Sequence, residues 1–389
     1  MDVPFRVGGI VEPPYFFDRE EELNLLVTTG IGLTQNILLL APRRYGKSSL
    51  LHNAKRLIEK RSNVVVVYIN CREMGNLIEF CNITIENLLK AYEERYRFRG
   101  LLSAFQRVLH GTISEAFELI SEVGGAVKMI GSFYLKFREK RVDELELLRK
   151  TFDFMHNLIS ERNLAVVMIY DEFQRVANFN GIIFELLKSS MDKPHKLCYF
   201  FSGSSQTLLE NIFLREDSPL YLMVSRHYIK PLTRDAVVKF VKERFSTYNI
   251  GIDNHTAGMF HELTGGIPFY VQKLGLLCWH DVLLSRKREI TPELVLSKFE
   301  QMLDEFDEEF ETYFLTKFSL QQSRIVKAFI TARYLRISEI ARILGCAPTT
   351  ISSSIARLVG AAILGKTEDG KYFVTDEVFR RWLISQFRR

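Results

Sequence analysis

The chain has 389 residues, 47% of them hydrophobic and 25% charged, with a net charge of +5; the length suggests two or three domains at roughly 100 to 200 residues each, and the composition excludes a disordered chain. Cys71, Cys81, Cys198, Cys278 and Cys346 are odd in number, far apart and without C-x-x-C or Cys/His ligand spacing. That excludes a disulfide scaffold and fits reduced thiols and a cytoplasmic location. No basic stretch followed by an apolar run opens the chain, and the longest uncharged stretch, residues 23–42, is interrupted by Asn, Thr and Gln, so neither a secretory signal nor a membrane span is expected.

Near-continuous apolar runs at residues 36–41, 63–70, 164–170 and 196–202 predict strands buried on both faces, with helix-length amphipathic segments between them. The fold class expected is α/β, a parallel five-stranded sheet covered by helices on both faces. Residues 76–160 read as mostly helical, punctuated by Gly100, Gly111, Gly124, Gly125 and Gly131. They are longer than a crossover needs and suggest a helical insertion with no assigned role. After Pro231 the strand signals stop, and apolar positions recur at helical spacing through 237–245, 259–263, 269–284 and 295–318. Three further helices are expected at 323–332, 337–344 and 349–358, with the short turn Gly345-Cys-Ala-Pro348 between the last two. Residues 363–367 and 371–375 flank Glu368-Asp-Gly370, a hairpin signal that would form the wing. The domains expected are 1–230, 231–318 and 319–389.

The run ending at Leu40 leads into Ala41-Pro-Arg-Arg-Tyr-Gly-Lys-Ser-Ser-Leu50, which matches G-x-x-x-x-G-K-[ST] except that Ala41 replaces the first glycine. A turn between a strand and a helix can aim backbone N–H groups at phosphate oxygens, backed by the positive end of the helix. Pro42, Arg43, Arg44, Tyr45, Gly46 and Ser49 would line the phosphates, Lys47 would reach the outer ones, and the Ser48 hydroxyl would bind Mg²⁺. The ligands implied are ATP or ADP with Mg²⁺. A chance G-K-S in an ordinary turn is the competing explanation, disfavoured by the strand before it and the helix after it.

Asp171-Glu172 ends a buried apolar run, where ligands of open α/β sheets gather. Asp171 is expected to hold the metal ion through water, and Glu172 to polarise the attacking water. Acidic pairs also end strands simply by meeting solvent. The additional strand at 63–70, between this pair and the phosphate turn, separates the pattern from the simple nucleotide kinases.

On these residues the chain resembles the archaeal branch of the STAND and AAA+ ATPases over nearly its whole length. The resemblance implies an ATPase core of the P-loop NTPase fold with a parallel five-stranded sheet, followed by a helical lid subdomain and a C-terminal winged-helix domain. It rests also on Phe16-Phe-Asp-Arg-Glu-Glu-Glu-Leu23, where Phe16 and Arg19 would help wall the adenine site, and on Phe201-Ser-Gly-Ser-Ser-Gln206, where Ser204 would sense the γ-phosphate. Lys230-Pro-Leu-Thr-Arg-Asp235 resembles the hinge into the lid, and Gly265-Gly-Ile-Pro268 resembles the Gly-x-Pro motif that sets Pro268 against the base. Proline is also common in the first turn of a helix, and both roles are compatible. Arg226 resembles a family arginine that reaches a phosphate in cis or in a neighbouring subunit of a nucleotide-dependent oligomer, although a plain surface arginine fits as well.

Residues 323–389 carry twelve basic and five acidic side chains, a balance of +7, whereas 291–318 carry two basic and eight acidic, a balance of −6. The basic end suits an acidic partner, double-stranded DNA first among them. Thr349, Thr350, Ser352, Ser353 and Arg357 could face a major groove, with Lys366 and Lys371 on phosphates. Winged helices serve equally as protein-docking modules. Three readings follow: a nucleotide-operated switch or slow ATPase, a DNA-binding regulator whose nucleotide only sets shape, and a protein-interaction scaffold.

Overall fold

The computed structural model describes residues 3–97, 143–179, 181–193 and 196–387. Strands β1 (Ile37–Leu40), β2 (Val65–Asn70), β3 (Val166–Asp171), β4 (Leu197–Gly203) and β5 (Ser225–Tyr228) form a parallel sheet in the order β2-β3-β4-β1-β5. Four of these fall where the apolar runs lie. The fifth, Ser-Arg-His-Tyr, is an edge strand with alternating exposure and gave no apolar run to find.

Successive side chains leave a strand on opposite faces, and each face is covered by helices. Ile37, Leu39, Val66, Val167, Ile169 and Phe200 pack with buried residues of α1 (Glu20–Gly32) and α2 (Lys47–Arg61). Leu38, Leu40, Val65, Val67, Met168 and Phe201 pack with α3 (Leu77–Tyr96), α4 (Glu144–Glu161), α5 (Ile182–Met191) and α6 (Gln206–Phe213). The expected insertion at 76–160 begins and ends in α3 and α4, which pack on each other beside the sheet; its middle, with the five glycines, lies outside the described residues.

Beyond β5 come α7 (Arg234–Ser246), α8 (Asn254–Thr264), α9 (Pro268–Ser285), α10 (Pro292–Glu305) and α11 (Asp307–Lys317). The single helix expected over 295–318 is two helices, because at Phe306 the N–H tightens onto Leu303 O at 3.1 Å. The Phe306 ring is wedged there against Phe269, Tyr270 and Phe310.

The C-terminal part contains α12 (Leu320–Ala328), α13 (Ile337–Leu344), α14 (Pro348–Gly360), an antiparallel hairpin of β6 (Leu364–Lys366) and β7 (Tyr372–Val374), and α15 (Glu377–Phe387). The helix expected at 323–332 starts and stops earlier, since Ser319 and Gln322 form a reciprocal capping box that fixes its first turn. Phe379 and Trp382 of α15 stack on each other and meet Phe310 and Phe314 of α11, and Trp382 Nε1 donates to Asp307 Oδ1 at 2.6 Å. Burying each of these large rings contributes about 2 kcal/mol or more, so α11 and α15 are firmly joined. Among the described residues, no helix is long and apolar enough to cross a membrane.

Candidate functional site

The turn from Ala41 to Gly46 joins the carboxyl end of β1 to the amino end of α2. Arg44 and Gly46 both take positive φ, at 71° and 83°. Such left-handed residues beside right-handed neighbours turn successive N–H groups towards one concave side, a shape suited to an anion. Glycine adopts this freely, whereas an L side chain in it costs about 1 kcal/mol. Arg44 therefore needs compensation.

Lys47, the first residue of α2, is only 6% exposed, and its Nζ donates to Ala41 O at 2.7 Å and Pro42 O at 2.9 Å. Burial pulls its pKa down to about 8, against the opposing pull of Glu172 and Asp171. Ser48 Oγ donates to Asp171 Oδ2 at 2.6 Å, so the phosphate turn and the end of β3 meet directly. Buried Asp171 also accepts from Tyr68 Oη at 2.7 Å, from Ser202 Oγ, and from the Glu172 N–H at 3.0 Å. The pairing of Asn70 with Asp171 across β2 and β3 delivers Tyr68 to that carboxylate. Burial, then the Asp171 charge, pushes the Tyr68 phenol well up, so it stays a donor.

Glu172 follows in a left-handed conformation with φ of 55°. One of its carboxylate oxygens accepts from Arg72 Nη2 at 2.8 Å; the other accepts from Gln174 Nε2 at 2.5 Å and Ser204 Oγ at 2.9 Å. Gly203 is needed beside it, because a Cβ there would overlap the Gln174 amide. Ser48 and Asp171 thus offer hard oxygen donors of the kind Mg²⁺ takes, with one carboxylate rather than an all-protein cage. Among the described residues, no group of three or more His, Cys, Asp or Glu is placed to hold a metal ion.

The remaining expected residues are divided. Ser204 joins the cluster through Glu172. Pro42 contributes its carbonyl, Arg43 is exposed, and Ser49 Oγ accepts from Val11 N at 3.1 Å, tying the N-terminal segment to α2. Arg19 is buried and joins Glu22 to Lys230 O, at 2.9 and 2.8 Å, while half-buried Phe16 packs on the core nearby. Pro268 opens α9, and the adjoining Phe269 N–H donates to Arg44 O at 3.4 Å. Arg226 stands apart: it is exposed on edge strand β5 opposite Leu38, about 7 Å short of the level where the strands end. Thr349, Thr350, Ser352, Ser353 and Arg357 are exposed on α14. Lys366 is exposed on β6, and Lys371 pairs with Asp369 at 2.9 Å.

Sequence reasoning missed Tyr68, Arg72, Ser202 and Gln174, and it missed where Arg44 goes. Arg44 Nη1 donates to Tyr270 Oη at 2.5 Å and lies 3.8 Å from Asp376 Oδ2, while Nη2 donates to Glu309 at 2.6 Å. The guanidinium sits over the rings of Phe269, Tyr270, Phe306 and Phe310 at 5.1 to 5.8 Å. Tyr270 Oη donates in turn to Asp376 at 2.8 Å, and Tyr45 Oη donates to Thr375 O at 3.0 Å.

Residues 16–274 match the profile of a family described as an ATPase domain predominantly from Archaea. Among solved structures, a Walker-type ATPase of Pyrococcus abyssi is similar over 98% of this chain and 99% of its own, with 19% identity and a TM-score of 0.70. The ORC2 protein of Aeropyrum pernix, solved in ADPNP–ADP complexes, is similar over 99% and 98%, with 11% identity and a TM-score of 0.58. No curated protein matches the sequence.

Proposed function

Because the chain belongs to this family of ATPase domains found predominantly in Archaea, we propose that it binds ATP with Mg²⁺ on the turn 41–49 and hydrolyses it slowly, as a nucleotide-operated switch. The observation that carries this reading is the convergence of Lys47, Ser48 and Asp171 at the carboxyl ends of β1 and β3, with Ser48 Oγ 2.6 Å from the Asp171 carboxylate. Lys47 would exchange two loop carbonyls for phosphate oxygens, and the N–H groups of the turn would bind the rest. Ser48 and Asp171 would hold Mg²⁺, which when bound would offset the charge of the phosphates. Glu172 orients the attacking water, after giving up part of its contact with Arg72, Gln174 and Ser204; Ser204 links that carboxylate to the γ-phosphate. Phe16, Arg19 and Pro268 wall the adenine. The thiols, all unpaired, fit a cytoplasmic setting.

In this reading residues 1–230 form the ATPase core, 231–318 a helical lid and 319–389 a winged-helix module that moves with nucleotide state. ATP turnover of wild type and Lys47→Ala tests it: the variant should lose nearly all activity, and equal rates would remove this site from the chemistry. A second reading is DNA binding through the exposed face of α14, Lys366 and Lys371, favoured by the basic balance of residues 323–389. Affinity for duplex DNA must then fall steeply with salt; a flat response contradicts it. Arg226 acting on a neighbouring subunit, and docking of a protein partner on the winged helix, belong to the same proposal and are read out by nucleotide-dependent sedimentation.

A further inference from the structure

We propose that Arg44 is a positioning residue: its side chain, gripped from the helical region and the C-terminal part, holds the phosphate turn in shape, so that nucleotide binding and seating of the C-terminal part reinforce each other. This rests on the nucleotide reading above and adds a linkage to it. The turn needs positive φ at residue 44, a conformation an L side chain resists. The same side chain is fixed at its far end by Tyr270 of α9, Glu309 of α11 and Asp376, the residue before α15. Both terminal nitrogens of the guanidinium are thus committed to residues outside the turn. Two tethers support the neighbouring atoms: Tyr45 Oη to Thr375 O, and the Phe269 N–H to Arg44 O.

The junction is unequal in strength. C-terminal helix α15 is fastened to α11 by tilted and edge-on contacts of Phe379 and Trp382 with Phe310 and Phe314, whereas its contact with the turn is a small polar set centred on Arg44. Whatever orders residues 43–46 orders both the anion cradle and the grip, and coupling between two such events is reciprocal.

The test uses the full chain and a fluorescent ADP analogue, reading affinity together with backbone hydrogen exchange of residues 361–376. In wild type, nucleotide should slow exchange there about tenfold. Arg44→Ala should bind about tenfold more weakly, exchange faster at 361–376 even without nucleotide, and lose the nucleotide-dependent slowing. Arg44→Gly tolerates the left-handed backbone without a side chain; it should recover part of the affinity but none of the protection, a split that a merely structural arginine would not produce. Should Arg44→Ala fail to fold, Tyr270→Phe, which keeps the ring and removes the hydroxyl joining Arg44 to Asp376, carries both readouts. Wild-type exchange behaviour in these variants, or affinity in Arg44→Gly no better than in Arg44→Ala, overturns the proposal. Failure of the wild type to bind nucleotide would instead sink the functional reading, while the exchange comparison without nucleotide would still judge the grip.

Discussion

Replacing Lys47 with methionine should make the protein's stability respond less to alkaline pH. Burial lowers the Lys47 pKa from 10.5 to about 8, a fall worth about 3 kcal/mol. A base whose folded-state pKa is depressed destabilises the fold while it is charged. The penalty is fully present below pH 8 and disappears as pH rises from 8 through 10.5, where the unfolded chain holds the proton more tightly. Between pH 7 and 9.5 the wild type should therefore gain about 2 kcal/mol relative to Lys47→Met. The loss of two hydrogen bonds to Ala41 O and Pro42 O, each worth about 1 kcal/mol, offsets the variant at every pH and cancels from the difference. Urea unfolding without nucleotide, at matched ionic strength, reads it directly. A wild-type-minus-variant difference that stays constant across this range would refute the claim that the ammonium is held at the cost of desolvation.

Three further outcomes are expected. If phosphates restore charge to Lys47, nucleotide binding at pH 8.5 should take up roughly three-quarters of a proton, measured by calorimetry in buffers of different ionisation enthalpy, and Lys47→Met should abolish the uptake. Arg72→Ala frees one oxygen of Glu172 from its 2.8 Å ion pair; ATP turnover should rise about two- to fivefold, and a fall would assign Arg72 to holding Glu172 in a productive pose. Gly265→Ala places a Cβ 2.7 Å from the Glu377 Cβ at φ of 65°, and should cost about 2 kcal/mol. Gly370→Ala, at φ of 81° with nothing within 4 Å, should cost about half as much, and equal losses in urea unfolding would deny the close approach of α8's end to α15.

Much of this was legible in the sequence because it is local. The phosphate turn, its strand and its helix lie within 25 consecutive residues, and the acidic pair announces itself at the end of an apolar run. Tyr68 could have been found: it sits two residues before the end of β2, and β2 pairs with the strand carrying Asp171. Arg72 and Gln174 were harder, since polar residues after a strand are ordinary. The break at Phe306 involves neither proline nor glycine, so the helical spacing runs on unbroken through it. The grip on Arg44 was out of reach, because it joins residues separated by 226 and 265 positions. No periodicity reports a contact of that span. A basic residue in a phosphate turn reads as a phosphate ligand until its far end is seen among four aromatic rings.

The central claim is that Lys47, Ser48 and Asp171 converge on one triphosphate, and a crystal structure with Mg²⁺ and a non-hydrolysable ATP analogue tests it most directly. The phosphates should lie on the N–H groups of residues 43–48, with Lys47 Nζ on the outer phosphates and Mg²⁺ about 2.1 Å from Ser48 Oγ. Phosphates bound elsewhere on the chain, or Lys47 still turned onto Ala41 and Pro42 with the analogue present, would contradict it.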